Sequence, residues 1–139
     1  TEAELISKDG ANYPILTATM ALEAKLNSLK STRIALIAPY PAWLTKAAEN
    51  FWHDGGFEIT TIHNVPISGE DTRDIYKLTP PIINDQLTGL DVGNAHAVLV
   101  SGTGMPSLSL VPKVAKRTGL PTISSNLCLA EACFQFVEK

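Results

Sequence analysis

The chain has 139 residues, 45% of them hydrophobic, enough to close one core and too few for two. Eleven basic against 14 acidic residues give a net charge of −3 with no basic run, which argues against nucleic acid as a partner. No apolar stretch reaches the length of a membrane span, and Thr1 to Leu5 carries neither the basic nor the apolar region of a signal peptide, so no membrane partner and a cytoplasmic location are expected.

In chain order, the clearest strand is Arg33 to Ala38, a continuous apolar run stopped by Pro39, as suits a central strand covered on both faces. Trp43, Leu44, Ala47, Ala48 and Phe51 then recur at helical spacing, with Lys46, Glu49 and Asn50 on the other side, until Gly55-Gly56 ends the helix. Phe57 to Val65 reads as the second strand. Residues 66–77 form a polar, acidic loop in which Glu70, Asp71, Arg73 and Asp74 read as a solvated face. Thr79-Pro80-Pro81 opens a helix with a capping hydroxyl, expected to run to about Leu90. Ala95 to Ser101 is the third strand, residues 102–106 a tight turn, and Leu108 to Thr118 a helix closed by Gly119, whose first turn Pro112 should disturb. Pro121 to Ser125 is a short fourth strand, and the last helix sets Glu131, Gln135 and Glu138 on a polar face. This alternation implies right-handed βαβ units, hence an α/β fold with a short parallel four-stranded sheet flanked by helices.

Two segments repeat. Residues 14–22, Pro-Ile-Leu-Thr-Ala-Thr-Met-Ala-Leu, match residues 121–129, Pro-Thr-Ile-Ser-Ser-Asn-Leu-Cys-Leu, at an offset of 121 − 14 = 107. At that offset the copy of the turn at 102–106 falls just before Thr1. The expectation is a chain that begins in mid-unit, as the C-terminal part of a duplicated protein.

Ligands of open parallel sheets sit beyond the carboxyl ends of the strands. Pro39-Tyr40, the loop around Asp71-Thr72, Ser101-Gly102-Thr103-Gly104 and Ser124-Ser125-Asn126 converge there. The Gly-x-Gly turn between strand and helix can aim backbone N–H groups at a carboxylate or phosphate, or it can simply be a tight turn. It lacks the third glycine and the lysine of nucleotide-binding loops, which counts against a flavodoxin-like nucleotide binder. His53, His63 and His96 lie on different elements, so no metal cluster is expected. Cys128 and Cys133 share one helix and read as free thiols. Cys133 is expected in the core, opposite the polar face. Cys128 lies nearer the helix N-terminus, where a thiol can acidify, although a buried, inert thiol is the simpler reading.

Together, Ile37-Ala38-Pro39-Tyr40, Gly56-Phe57-Glu58, Leu78-Thr79-Pro80, Val100-Ser101-Gly102-Thr103-Gly104-Met105 and Ile123-Ser124-Ser125-Asn126 resemble, in order and spacing, the aspartate/glutamate racemase superfamily, in the branch of maleate cis-trans isomerases and arylmalonate decarboxylases. The resemblance covers nearly the whole chain. It implies a flavodoxin-like half of a pseudo-symmetric two-domain fold: residues 1–30 as a crossing segment of the N-terminal half and residues 31–139 as the C-terminal α/β domain. The N-terminal half is the implied partner, and assembly into a homo-oligomer is compatible with it.

The implied chemistry is cofactor-independent isomerisation or decarboxylation of a small dicarboxylate or arylmalonate-like acid, with proton transfer at the carbon beside a carboxylate. Tyr40, Gly102 and Thr103 fall at catalytic positions, and Pro39, Thr72, Gly104, Ser124, Ser125 and Asn126 at substrate-binding ones. The sequence departs from the pattern at two points. Gly102 stands where the family carries a cysteine, and Thr72 where its isomerases carry asparagine. The alternative is a non-catalytic carboxylate-binding protein that has lost its thiol.

Overall fold

In the computed structural model, residues 15–69 and 71–137 are described. Pro14, Glu70 and Glu138 lie outside them, as does the segment before Ile15. Helix α1 spans Ala18–Ser28 and leads into β1, Arg33–Ala38. Then come α2 (Ala42–Asp54), β2 (Glu58–Asn64), a 3-10 helix (Thr72–Lys77) and α3 (Pro80–Gln86). Strand β3 (Ala97–Val100), α4 (Leu110–Thr118), β4 (Thr122–Ser124) and α5 (Ser125–Val137) complete the chain. The four strands form one parallel sheet in the order β2-β1-β3-β4, so β1 is central as expected.

Side chains alternate across the sheet. Ile34, Leu36, Ala97 and Leu99 point to the face covered by α1, α2 and α5, where Leu22, Leu26, Trp52 and Cys128 join them. Ala35, Ile37, Val98 and Val100 point to the opposite face, under α3 and α4, beside Ile83, Leu87, Leu110 and Val114. Burial on both faces is why β1 and β3 read as unbroken apolar runs.

The repeat is structural as well as textual. Helix α1 starts at Ala18 and α5 at Ser125, 107 residues apart. Thr17 Oγ1 accepts from Met20 N at 3.2 Å, and its copy Ser124 Oγ accepts from Leu127 N at 3.3 Å. Both helices therefore begin on the same hydroxyl cap. Pro112 lies in the first turn of α4, where the Leu110 and Val111 amides share the Ser107 carbonyl, the irregularity its missing N–H entails. Gly119 closes that helix at φ 72°.

Four expectations fail. Helix α3 stops at Gln86 rather than near Leu90, and Thr79 precedes it without a side-chain capping bond. On α2 the apolar side is not buried: Trp43 and Phe51 are exposed at 59% and 47%, while Trp52 fills the core, edge-on to Phe57. Cys133 is exposed rather than packed, because α5 meets the rest of the chain through the side that carries Cys128.

Candidate functional site

Strands β1 and β3 end in register, with Ser101 N donating to Ile37 O at 2.8 Å, so both chains leave the sheet at one point. A crevice of about 710 Å³ opens there. Tyr40 and Ser101 lie at its base with hydroxyls 2.7 Å apart. Each can donate one proton and only one is used between them, so the pair offers one O–H to a ligand. The turn from Gly102 to Gly104 forms one wall. Its Met105 amide closes on Gly102 O at 3.0 Å, while no acceptor for the Thr103 or Gly104 amide is found among the described residues. Asn126 Nδ2 braces the turn by donating to Thr103 O at 3.1 Å. Ala18, Thr19 and Ser125 also line the crevice, so the N-termini of the duplicated helices both open onto it. Their unpaired amides add partial positive charge.

Of the residues singled out above, Tyr40, Thr72, Gly102, Thr103, Gly104 and Ser125 line the crevice. Pro39, Ser124 and Asn126 do not. Ser124 is buried, capping α5 and bonded to Ser107 Oγ at 3.1 Å. Pro39 packs behind Gly102, where a Cβ would lie 3.0 Å from its Cδ. Gly102 also has φ +98°, a conformation side chains rarely adopt. Glycine there is thus more than a missing thiol, since a side chain would need both a strained backbone conformation and a small shift of Pro39. Neither cysteine lines the crevice. Burial pushes the Cys128 thiol up, in the opposite sense to an activated one.

The apolar wall was not anticipated. Leu44, Ala48 and Phe51 of α2 line the crevice beside Trp52, and their helical spacing was the available signal, read as a core face. Arg73 and Tyr76 close the mouth from the 3-10 helix. Arg73 is solvated, as expected of that loop, with its Nε 2.8 Å from Asp71 Oδ2, and this pairing holds the Asp71 carboxyl below the usual range. Among the described residues there is no group of three side chains able to hold a metal ion, and no helix is long and apolar enough to cross a membrane.

Burial pushes the Tyr40 phenol above its ordinary value, and the bond to Ser101 offsets part of the shift. Tyr40 is therefore a neutral donor and a poor base. With the folded value raised, its contribution to stability is intact below the unfolded value near 10 and is lost as pH rises through the folded one. Stability should accordingly be flat on this group's account from about pH 7 to 9 and fall above about pH 10. Urea unfolding of the chain and of Tyr40→Phe across that range checks it, and an equal loss in both would remove Tyr40 as its source.

The family model for arylmalonate decarboxylase matches residues 2–138. A maleate isomerase of Geobacillus stearothermophilus is 32% identical over 124 residues, 88% of this chain and 49% of that protein. One of Pseudomonas putida is 28% identical over 126 residues, 90% and 50% respectively. In three dimensions, a Nocardia farcinica maleate cis-trans isomerase variant with a covalently bound succinylcysteine intermediate aligns at a TM-score of 0.82 and 22% identity, covering 98% of this chain and 55% of that one. An arylmalonate decarboxylase aligns at 0.79 and 19%, covering 94% and 57%. The structural likenesses establish the α/β fold, and the chain spans about half the length of the curated relatives it matches.

Proposed function

Because the chain belongs to the arylmalonate decarboxylase family, we propose that its crevice holds the carboxylate of a small dicarboxylic or arylmalonate-like acid and forms one half of a cofactor-independent isomerase or decarboxylase site. The observation that carries this reading is the set of unpaired donors at one point: the Thr103 and Gly104 amides, the free proton of the Tyr40–Ser101 pair, and two helix N-termini. Such donors bind a carboxylate and stabilise the further negative charge that develops as the adjacent carbon gives up a proton or carbon dioxide. No basic side chain is needed at the base of the crevice, and Arg73 at the mouth suits a second carboxylate. Thr72 and Ser125 line the same space as secondary contacts, while Pro39, Ser124 and Asn126 position the turn and the helix. The apolar wall of α2 takes the substrate's carbon skeleton.

On this reading, residues 1–30 cross from an N-terminal half whose α/β unit completes the crevice and supplies the acid or base that Gly102 cannot. The alternative, a carboxylate-binding protein without turnover, is favoured by one observation: a side chain at residue 102 would strain the backbone and crowd Pro39, so a thiol there is disfavoured. Turnover of maleate or phenylmalonate by the completed protein separates the two.

The binding step can be tested in this chain. Malonate should shift the Thr103, Gly104 and Ser125 amide resonances together, and Tyr40→Phe should weaken binding about tenfold, roughly the 1.4 kcal/mol expected of one hydrogen bond to a charged group in a partly open site. Movement of distant surface residues while these amides stay still would refute the reading.

A further inference from the structure

Arg73 is the only charged residue among the described residues that line the crevice. Its guanidinium is already engaged. Nε lies 3.0 Å from Asp71 Oδ1 and 2.8 Å from Asp71 Oδ2, and Nη2 also donates to Oδ2. Two donors on one carboxylate is the geometry by which arginine recognises that group. Asp71 itself is not among the lining residues; it caps the 3-10 helix, its Oδ1 accepting from Arg73 N at 2.9 Å, and that bond does not depend on the guanidinium. Both side chains reach solvent, 86% and 44% exposed, so parting them costs little.

The 3-10 helix is also seated on the amide turn. A Cβ at Gly104 would lie 3.1 Å from Ile75 Cγ2 and 3.2 Å from the Tyr76 ring, so a side chain there would push helix and turn apart. Ile75 is anchored in the same core cluster as Met105. The backbone of Arg73 is thereby held at a set separation from the Thr103 and Gly104 amides, while its long side chain is free to turn from Asp71 toward the crevice.

We propose that Arg73 is the seat of a ligand's second carboxylate and that Asp71 occupies this seat in the free protein, so that a dicarboxylate displaces Asp71 whereas a monocarboxylate leaves the pair closed. The inference rests on the reading that the crevice amides take the first carboxylate, and adds which residue selects a doubly charged acid and what competes with it. One ion pair is exchanged for another of the same kind, so the device supplies discrimination more than affinity.

The 139-residue chain would be titrated with malonate, succinate and acetate, following the Thr103 and Gly104 amide resonances and the side-chain Nε–H resonance of Arg73. The two dicarboxylates should move all three signals, and acetate only the amides. Asp71→Asn keeps an oxygen for the cap. It should raise affinity for the better-bound dicarboxylate about two- to fivefold, the size of one exposed ion pair, and for acetate by less than about 1.5-fold. In Asp71→Asn/Arg73→Gln that gain should vanish. Asp74→Asn removes the same charge from the same helix and serves as the control for net charge. An equal gain in Asp74→Asn, a gain that survives in the double variant, or an Arg73 Nε–H signal that stays still with both dicarboxylates overturns the proposal. The two readings fail in different ways: amides that respond beside an unmoved Arg73 leave the crevice standing and remove the exchange, whereas amides that ignore all three acids refute both.

Discussion

Leu26→Ala is expected to destabilise the isolated chain by about 2–5 kcal/mol, measured by urea unfolding with Leu29→Ala as the exposed control. Leu26 has no solvent exposure, and its side chain fills the space between Ile34, Leu36 and Leu99 of the sheet. Removing three carbons there loses their transfer free energy and leaves a cavity that β1 and β3, each held by neighbouring strands on both sides, cannot collapse to fill. The result bears on organisation as well as stability. If residues 1–30 are a crossing segment of another half, α1 within them is nevertheless part of this core, and the variant should lose stability with no second unit present. A loss below about 1 kcal/mol would mean that α1 only rests on this sheet.

The second large effect is at the turn. Gly102→Cys is expected to lower stability by about 2–6 kcal/mol, combining roughly 1–3 for a side chain at an unfavourable backbone conformation with roughly 1–3 for overpacking. The positive φ and the 3.0 Å approach of Pro39 are the causes. Gly102→Ala should show nearly the same loss, because the clash is at Cβ and not at sulfur. A thiol placed there would arrive with a displaced turn, and the Thr103 and Gly104 amides would move with it. Urea unfolding of both variants, with the malonate response of the Thr103 amide, checks this. A Gly102→Cys protein as stable as the parent, with that response intact, would show that Pro39 yields easily and that glycine at 102 is only an absence.

The residues singled out from the sequence that line the crevice lie mostly next to a strand end or in the glycine-containing turn. Tyr40 and Ser101 lie just beyond β1 and β3, so finding the strands placed them at the crevice. Thr103 and Gly104 present amides, a feature that a glycine-containing turn advertises. Ser124 and Asn126 were expected at a ligand, and in the structure Ser124 caps α5 while Asn126 braces the turn, because a polar side chain at a helix start can bond the backbone or a ligand and its packed neighbours decide which. Arg73 is solvated as expected, but that it and Tyr76 also line the crevice was not legible, because no periodicity marks which side of an irregular segment faces a crevice.

The sequence by itself determined the parallel α/β order, the central position of β1, the duplicated helix start and the turn with free amides, because each follows from local periodicity, capping and glycine conformation. Only the tertiary structure decided what those patterns face. The stripe of α2 and the Cys133 side of α5 look alike on paper as core-facing helix sides, yet one lines the crevice and the other is open to solvent. Hydrophobic spacing reports that a face wants to leave water. Which layer meets it, if any, depends on long-range packing.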